Sequence, residues 1–168
     1  MLGIIITWIA IFSFCIFIVS VLFLIQGPPF VPSNDESTEQ IMKMVEMYKP
    51  KRILDMGSGN GKLVILLAQK RYKVDGIELN PRLVLKSRRA IKKANLTKNA
   101  KIYLGNFWTK DVSDYDMIIL YAIKHIMPRL EKKLISELKP KSIIVSNYFK
   151  FPNLLPKKKM SIVASYEI

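Results

Sequence analysis

The hydrophobic and polar positions divide the chain into two unequal parts. Residues 2–25 contain no charged side chain and are rich in Ile, Phe, Val and Leu. About 20 such residues suffice to cross a hydrocarbon core, so the pattern predicts a transmembrane anchor over residues 1–25. A cleaved signal would want a basic leader, a shorter apolar core and a small-residue cleavage site, and the segment has none of these. Beyond it, short apolar runs alternate with amphipathic stretches. The runs at 51–56, 72–78, 101–106, 116–121 and 142–148 read as buried strands, and helical periodicity lies between them. That alternation predicts an α/β fold: a doubly wound, mostly parallel sheet. One last strand is expected at 160–166, which leaves the final sheet edge without a full hairpin.

Residues 26–33 carry three prolines and read as a stiff, extended linker. At roughly 3 Å per residue it would hold the following domain within about 25 Å of a bilayer. Ser33, with Glu36 three positions later, predicts a capping box for the helix through Ile41, Met44, Val45 and Tyr48. Residues 34–168 fit one domain with its own core.

Charge adds a direction and a class of partner. Lys and Arg number 27 against 13 Asp and Glu, a formal net charge of +14. No basic residue precedes the apolar segment, so the domain is expected on the cytoplasmic side of a single-pass membrane protein, or on the matrix side in a mitochondrion. An anionic membrane surface accounts for the excess charge, and nucleic acid is the sharper alternative. Arg82, Lys86, Arg89 and Lys93 recur at helical spacing and form a basic stripe. The single cysteine, Cys15, lies in the apolar segment and excludes an internal disulfide or a Cys-based metal site.

The candidate chemistry begins where the first strand runs into Gly57-Ser58-Gly59-Asn60-Gly61. Glycine suits a strand-to-helix turn that a ligand must approach closely. A dinucleotide fingerprint would need its third glycine at residue 62, which is Lys62. The second strand ends in Glu78, placed where a carboxylate can accept from both hydroxyls of a ribose; a plain surface acid is the alternative. Asn80 and Pro81 then cap and open the next helix.

With Asp55 two residues ahead of it, the G-x-G-x-G turn resembles motif I of the seven-strand, class I S-adenosylmethionine (SAM) methyltransferases, a Rossmann-like fold. Glu78-Leu79-Asn80-Pro81 is similar to the motif that follows it. Pro-Phe-Val-Pro-Ser at 29–33 resembles the lead-in of the small membrane-associated protein-lysine methyltransferases, which act on the ATP synthase c-subunit or the adenine nucleotide translocase and have prokaryotic relatives. The resemblance implies SAM as cofactor, with Asp55, Gly57, Ser58, Gly59, Gly61, Glu78 and Asn80 around it and Asn106 as adenine contact. Phe107 would flank the adenine ring or pack in the core, and Trp108 is assigned to the core. It implies no metal.

In such a sheet the acceptor gathers at the carboxyl edge, which makes Tyr121, Asn147 and Tyr148 the candidates for catalysis. His125, the only histidine, stands beside Lys124 with no nucleophile placed near it. No Asn/Asp-Pro-Pro-aromatic tetrad follows Leu120, which disfavours an adenine-base acceptor. The expected activity is methyl transfer to a protein lysine, with a membrane-embedded protein as substrate. An RNA, small-molecule or lipid methyltransferase and a non-catalytic tethered binding module are the alternatives.

Overall fold

The computed structural model describes residues 2–26 and 35–168, and in the first helix it describes side chains only at Gly3 and 6–20. Two compact units result, Met1–Phe30 and Val31–Ile168. Helix α1 (Leu2–Gln26) belongs to the first. Its described side chains are exposed, and its hydroxyls turn inward on the helix, Thr7 donating to the Gly3 carbonyl at 2.9 Å and Ser20 to that of Ile16 at 2.8 Å.

The transmembrane expectation for 1–25 is not carried by this structure. Among the described residues no helix is long and apolar enough to cross a membrane. The linker beyond Gln26, with its lead-in motif and the Ser33 cap, lies outside the described residues.

In the second unit, α2 (Asp35–Tyr48) precedes a seven-strand mixed sheet. The elements follow as β1 (Arg52–Met56), α3 (Lys62–Gln69), β2 (Lys73–Glu78), α4 (Pro81–Lys93), β3 (Ala100–Leu104) and β4 (Met117–Leu120). After these come a 3-10 turn (Lys124–Ile126), α5 (Met127–Glu137), β5 (Ile143–Asn147), β6 (Lys158–Met160) and β7 (Val163–Glu167). The strand order is β3-β2-β1-β4-β5-β7-β6; the first four pairings are parallel, and β7 lies antiparallel to both its neighbours. β1 and β4 adjoin across the point where the order reverses, and that point opens a crevice at the strands' carboxyl ends.

Alternation along each strand builds two apolar layers. Ile53, Val74, Met117, Ile119 and Val145 pack with α2, α3 and α4 on one face. Leu54, Met56, Ile118, Leu120 and Ile144 pack with α5 on the other.

The second face carries one helix because the β3–β4 and β5–β6 connections stay irregular. In the first, the Asn106 and Asp111 side chains each accept from the amide two residues on, at 3.0 and 2.9 Å, and such turns compete with a helix. In the second, Pro152 and Pro156 prevent one. Phe107, Trp108, Val112 and Tyr115 fill the space where helices are missing.

The single final strand expected at 160–166 is two strands. Ser161 takes a left-handed φ of 45° and turns the chain, so that Lys158–Met160 folds back on 163–165. Three lysines in a row hid this strand, but lysine is at home on a sheet edge.

Candidate active site

β1 and β2 deliver the expected residues to one place. Gly57, Gly59 and Gly61 have φ of 83°, 55° and 77°, a region that side chains with a Cβ rarely adopt. A Cβ at Gly57 would meet nothing within 4 Å, so open space lies against the loop there. At Gly61 a Cβ would stand 2.7 Å from that of Ser87, and this close approach seats α3 beside α4.

The loop's amides are already engaged. Gly57 and Ser58 donate to the Ile77 carbonyl at 2.9 and 3.0 Å, Gly61 to the Ser58 carbonyl at 2.9 Å, and Lys62 to Asn60 Oδ1 at 3.1 Å. Gly59 donates to Glu78 Oε2 at 2.9 Å. The turn thus presents no row of N–H groups of the kind that cradles a phosphate. It suits a ligand held by shape and by carboxylates.

Glu78 is fixed at both oxygens, since Asn80 donates its amide to Oε1 at 2.8 Å. Each oxygen keeps acceptor capacity for a further donor. Asn80 caps α4 as expected, its side chain accepting from Arg82 N at 3.0 Å.

Asp55 is buried in β1, and that burial, reinforced by the negative charge of Glu78, pushes its carboxyl up to about 7. A cationic group brought beside it would reverse the shift. Ser58 Oγ is buried without a partner, and Gly76 makes room for it: a Cβ there would stand 2.7 Å from that oxygen.

The remaining candidates sit less simply. The Asn106 side-chain oxygen already accepts from Trp108 N at 3.0 Å. Phe107 and Trp108 lie tilted at 49° with ring centroids 5.0 Å apart and pack against the core, while the Arg129 guanidinium lies 4.3 Å above the Trp108 ring. Tyr121 stands just past β4, partly exposed. Asn147 ends β5 buried, with Oδ1 unpartnered, and Tyr148 follows at a φ of 75°, its ring edge-on to Phe149. His125 is exposed in the 3-10 turn.

Sequence reasoning passed over Leu79 and Leu104, two exposed apolar residues at the ends of β2 and β3. Their signal was an apolar residue where a strand gives way to polar loop.

The structure itself supports the fit of SAM. An open floor at Gly57, a fixed carboxylate at the end of β2, a buried acid beside it and an orphaned oxygen on Ser58 match an adenosyl group, an amino acid and a sulfonium.

This sheet order, glycine turn and strand-end acid define a SAM-dependent methyltransferase of the seven-strand class. The profile of the ANTKMT methyltransferase domain matches residues 55–158, more than half of the 168-residue chain, and the chain belongs to that family.

The human lysine N-methyltransferase of the ATP synthase c-subunit is 34% identical over 128 residues, 76% of this chain and 54% of the relative. A protein-lysine N-methyltransferase of Saccharolobus islandicus is 26% identical over 136 residues, 80% of this chain and 84% of the relative. The chain spans about half the length of the mammalian ATP synthase methyltransferases that it matches. Among solved structures, an RNA methyltransferase of Salinibacter ruber bound to S-adenosylhomocysteine superposes with a TM-score of 0.73 at 24% identity, over 82% of this chain and 92% of that one. That likeness establishes the fold.

Proposed function

We propose that the chain is a membrane-anchored, SAM-dependent protein-lysine N-methyltransferase whose acceptor belongs to a membrane protein. The observation that carries the catalytic half is the Glu78–Gly59 contact, which fixes a strand-end carboxylate on the glycine turn where a ribose would lie. The lysine half is supported by relatives named for that activity, at 34% and 26% identity. The anchor is supported by the absence of charge from residues 2–25.

Bound in this crevice, SAM supplies a methyl group activated on a sulfonium. Glu78 takes the ribose hydroxyls, and its two amide contacts hold it in place. Asp55 sits where it can face the cofactor's cationic amino group. Leu79 and Leu104 offer apolar walls to a flat ring. At the acceptor side the amine must arrive neutral, although lysine's ordinary pKa is about 10.4. The unpartnered Asn147 Oδ1 accepts from an amine N–H without adding a negative charge that would hold the proton on. Tyr121 and Tyr148 flank this opening on neighbouring strand ends.

The test is to incubate the purified protein with radiolabelled SAM and host membranes. A protein band labelled at lysine is the expected result. Label confined to nuclease-sensitive or solvent-extractable material overturns the substrate assignment and favours the RNA or lipid reading, and failure to bind SAM in calorimetry favours a non-catalytic module.

A further inference from the structure

From Leu79 to Lys110 the chain has nine Lys and Arg and no Asp or Glu, so well over half of the net charge of +14 lies on α4 and the segment around β3. Within α4 the positions are sorted. Val84, Ser87 and Ile91 are buried, and the two apolar ones pack with Val74 and Ile102 of β2 and β3. At about 100° per residue, Arg82, Lys86, Arg89 and Lys93 fall on the opposite side, in one row roughly 16 Å long. All four are exposed, as is Leu85 beside them, at 50%.

The charges of this row are unanswered. On α3, Lys62 pairs with Asp35 at 2.7 Å and Lys70 with Glu46 at 3.0 Å, so acids of α2 neutralise that helix. Arg88 turns back to the sheet and donates to the Ile102 carbonyl at 2.8 Å. The four side chains of the row have no ion-pair or hydrogen-bond partner among the described residues. Like charges one turn apart repel, and an anionic partner along the row relieves that cost.

The chemistry of the face favours lipid over nucleic acid. No aromatic side chain stands between Leu79 and Ile102 to stack on a base. Its exposed leucine is flanked by Arg82, Lys86 and Arg89, and leucine in such a setting enters the region between headgroups and acyl chains while the longer cations reach the phosphates. Each basic residue at an anionic surface strengthens binding by roughly fivefold, so four in a row suffice to seat a domain already held near a bilayer.

We propose that the outward face of α4 is a lipid-contact surface for an anionic bilayer, an inference that deepens the membrane half of the proposed function and rests on it. α4 starts at the carboxyl end of β2 and ends ahead of β3, so it runs back along the sheet. Laid on headgroups, it sets the strands along the membrane plane and turns their carboxyl edge sideways, toward a lysine that stands up from the bilayer surface.

The full chain, carrying Cys15→Ser and Leu85→Cys, is labelled with an environment-sensitive fluorophore and assembled with discs of phosphatidylcholine with or without phosphatidylglycerol, with nitroxide-bearing lipid as quencher. In anionic discs this label should be quenched about threefold more than one placed through Ile135→Cys, an exposed position of α5 on the other face of the sheet. The difference should vanish in neutral discs, and also when Arg82, Lys86, Arg89 and Lys93 are changed to Gln. Equal quenching at the two positions, a difference that survives either change, or protection of the Leu85→Cys label by RNA and not by anionic discs overturns the proposal. Flotation keeps the two readings apart. A chain that floats with neutral discs has its anchor whatever α4 does, one that floats only with anionic discs has the α4 contact without the anchor, and one that floats with neither loses both.

Discussion

Glu78 and Gly59 are joined by a hydrogen bond of 2.9 Å, the carboxylate at the end of β2 accepting from the amide at the middle of the glycine turn. One side chain therefore shapes the loop and stands ready to bind. Replacing it removes both roles: Glu78→Ala should weaken S-adenosylhomocysteine binding by about 10- to 100-fold in calorimetry, because ribose hydroxyls and the Gly59 amide lose their acceptor. Unchanged affinity would place the ribose elsewhere.

Asp55 makes binding depend on pH. Its folded value of about 7 lies above the ordinary 3.8, so between these values the folded protein binds more protons than the unfolded one. Its contribution to stability is full below the ordinary value and is lost as pH rises through the folded one. Binding has the opposite sign, because a cationic cofactor group prefers the ionised acid. Affinity for SAM should rise from pH 6 to pH 8, by up to about tenfold across a single titration. In Asp55→Asn that slope should vanish, and calorimetry at several pH values reads it.

At Gly61 a Cβ would press on Ser87 at 2.7 Å and sit at a φ of 77°. Gly61→Ala should cost about 1–3 kcal/mol in denaturant unfolding. Adding Ser87→Gly should return the steric part and leave the backbone part.

Asn147 separates binding from transfer. Asn147→Ala should lower kcat by about 10- to 100-fold while SAM affinity holds, because a buried acceptor for the amine is lost. Asn147→Asp should move the acid limb of kcat to higher pH, since a negative charge beside the bound amine raises its pKa. Steady-state rates across pH with a lysine substrate check both.

Removing residues 1–25 should leave SAM affinity intact and reduce modification of a membrane acceptor, because tethering raises the local concentration of enzyme at the bilayer. Equal activity after truncation would show that proximity contributes nothing.

Elements with a strong period were legible in the sequence. The run expected at 116–121 became Met117–Leu120, because a strand buried on both faces is a continuous apolar run bounded by polar residues. The glycine turn and the acid after β2 were legible for a related reason: spacing alone brings them together once a parallel pair forms. Contacts that depend on packing were not legible. Nothing in the chain announces that Ser87 will lie against Gly61 or that Asn106 will spend its oxygen on Trp108. The β6–β7 hairpin was hidden because an edge strand of lysines carries no alternation to read. The long apolar leader was read as a membrane span from composition, and among the described residues no helix is long and apolar enough to carry that reading.

The order of the strands also governs the order of assembly. β7 is an interior strand built from residues 163–167, and it pairs with β5 on one side and β6 on the other. On a ribosome the parallel half of the sheet emerges first, and β5 waits with an open hydrogen-bonding edge for residues 163–167. Until that stretch arrives, the nascent chain exposes a sticky ladder to its neighbours, which makes the closing hairpin a safeguard against misassembly as well as a part of the fold.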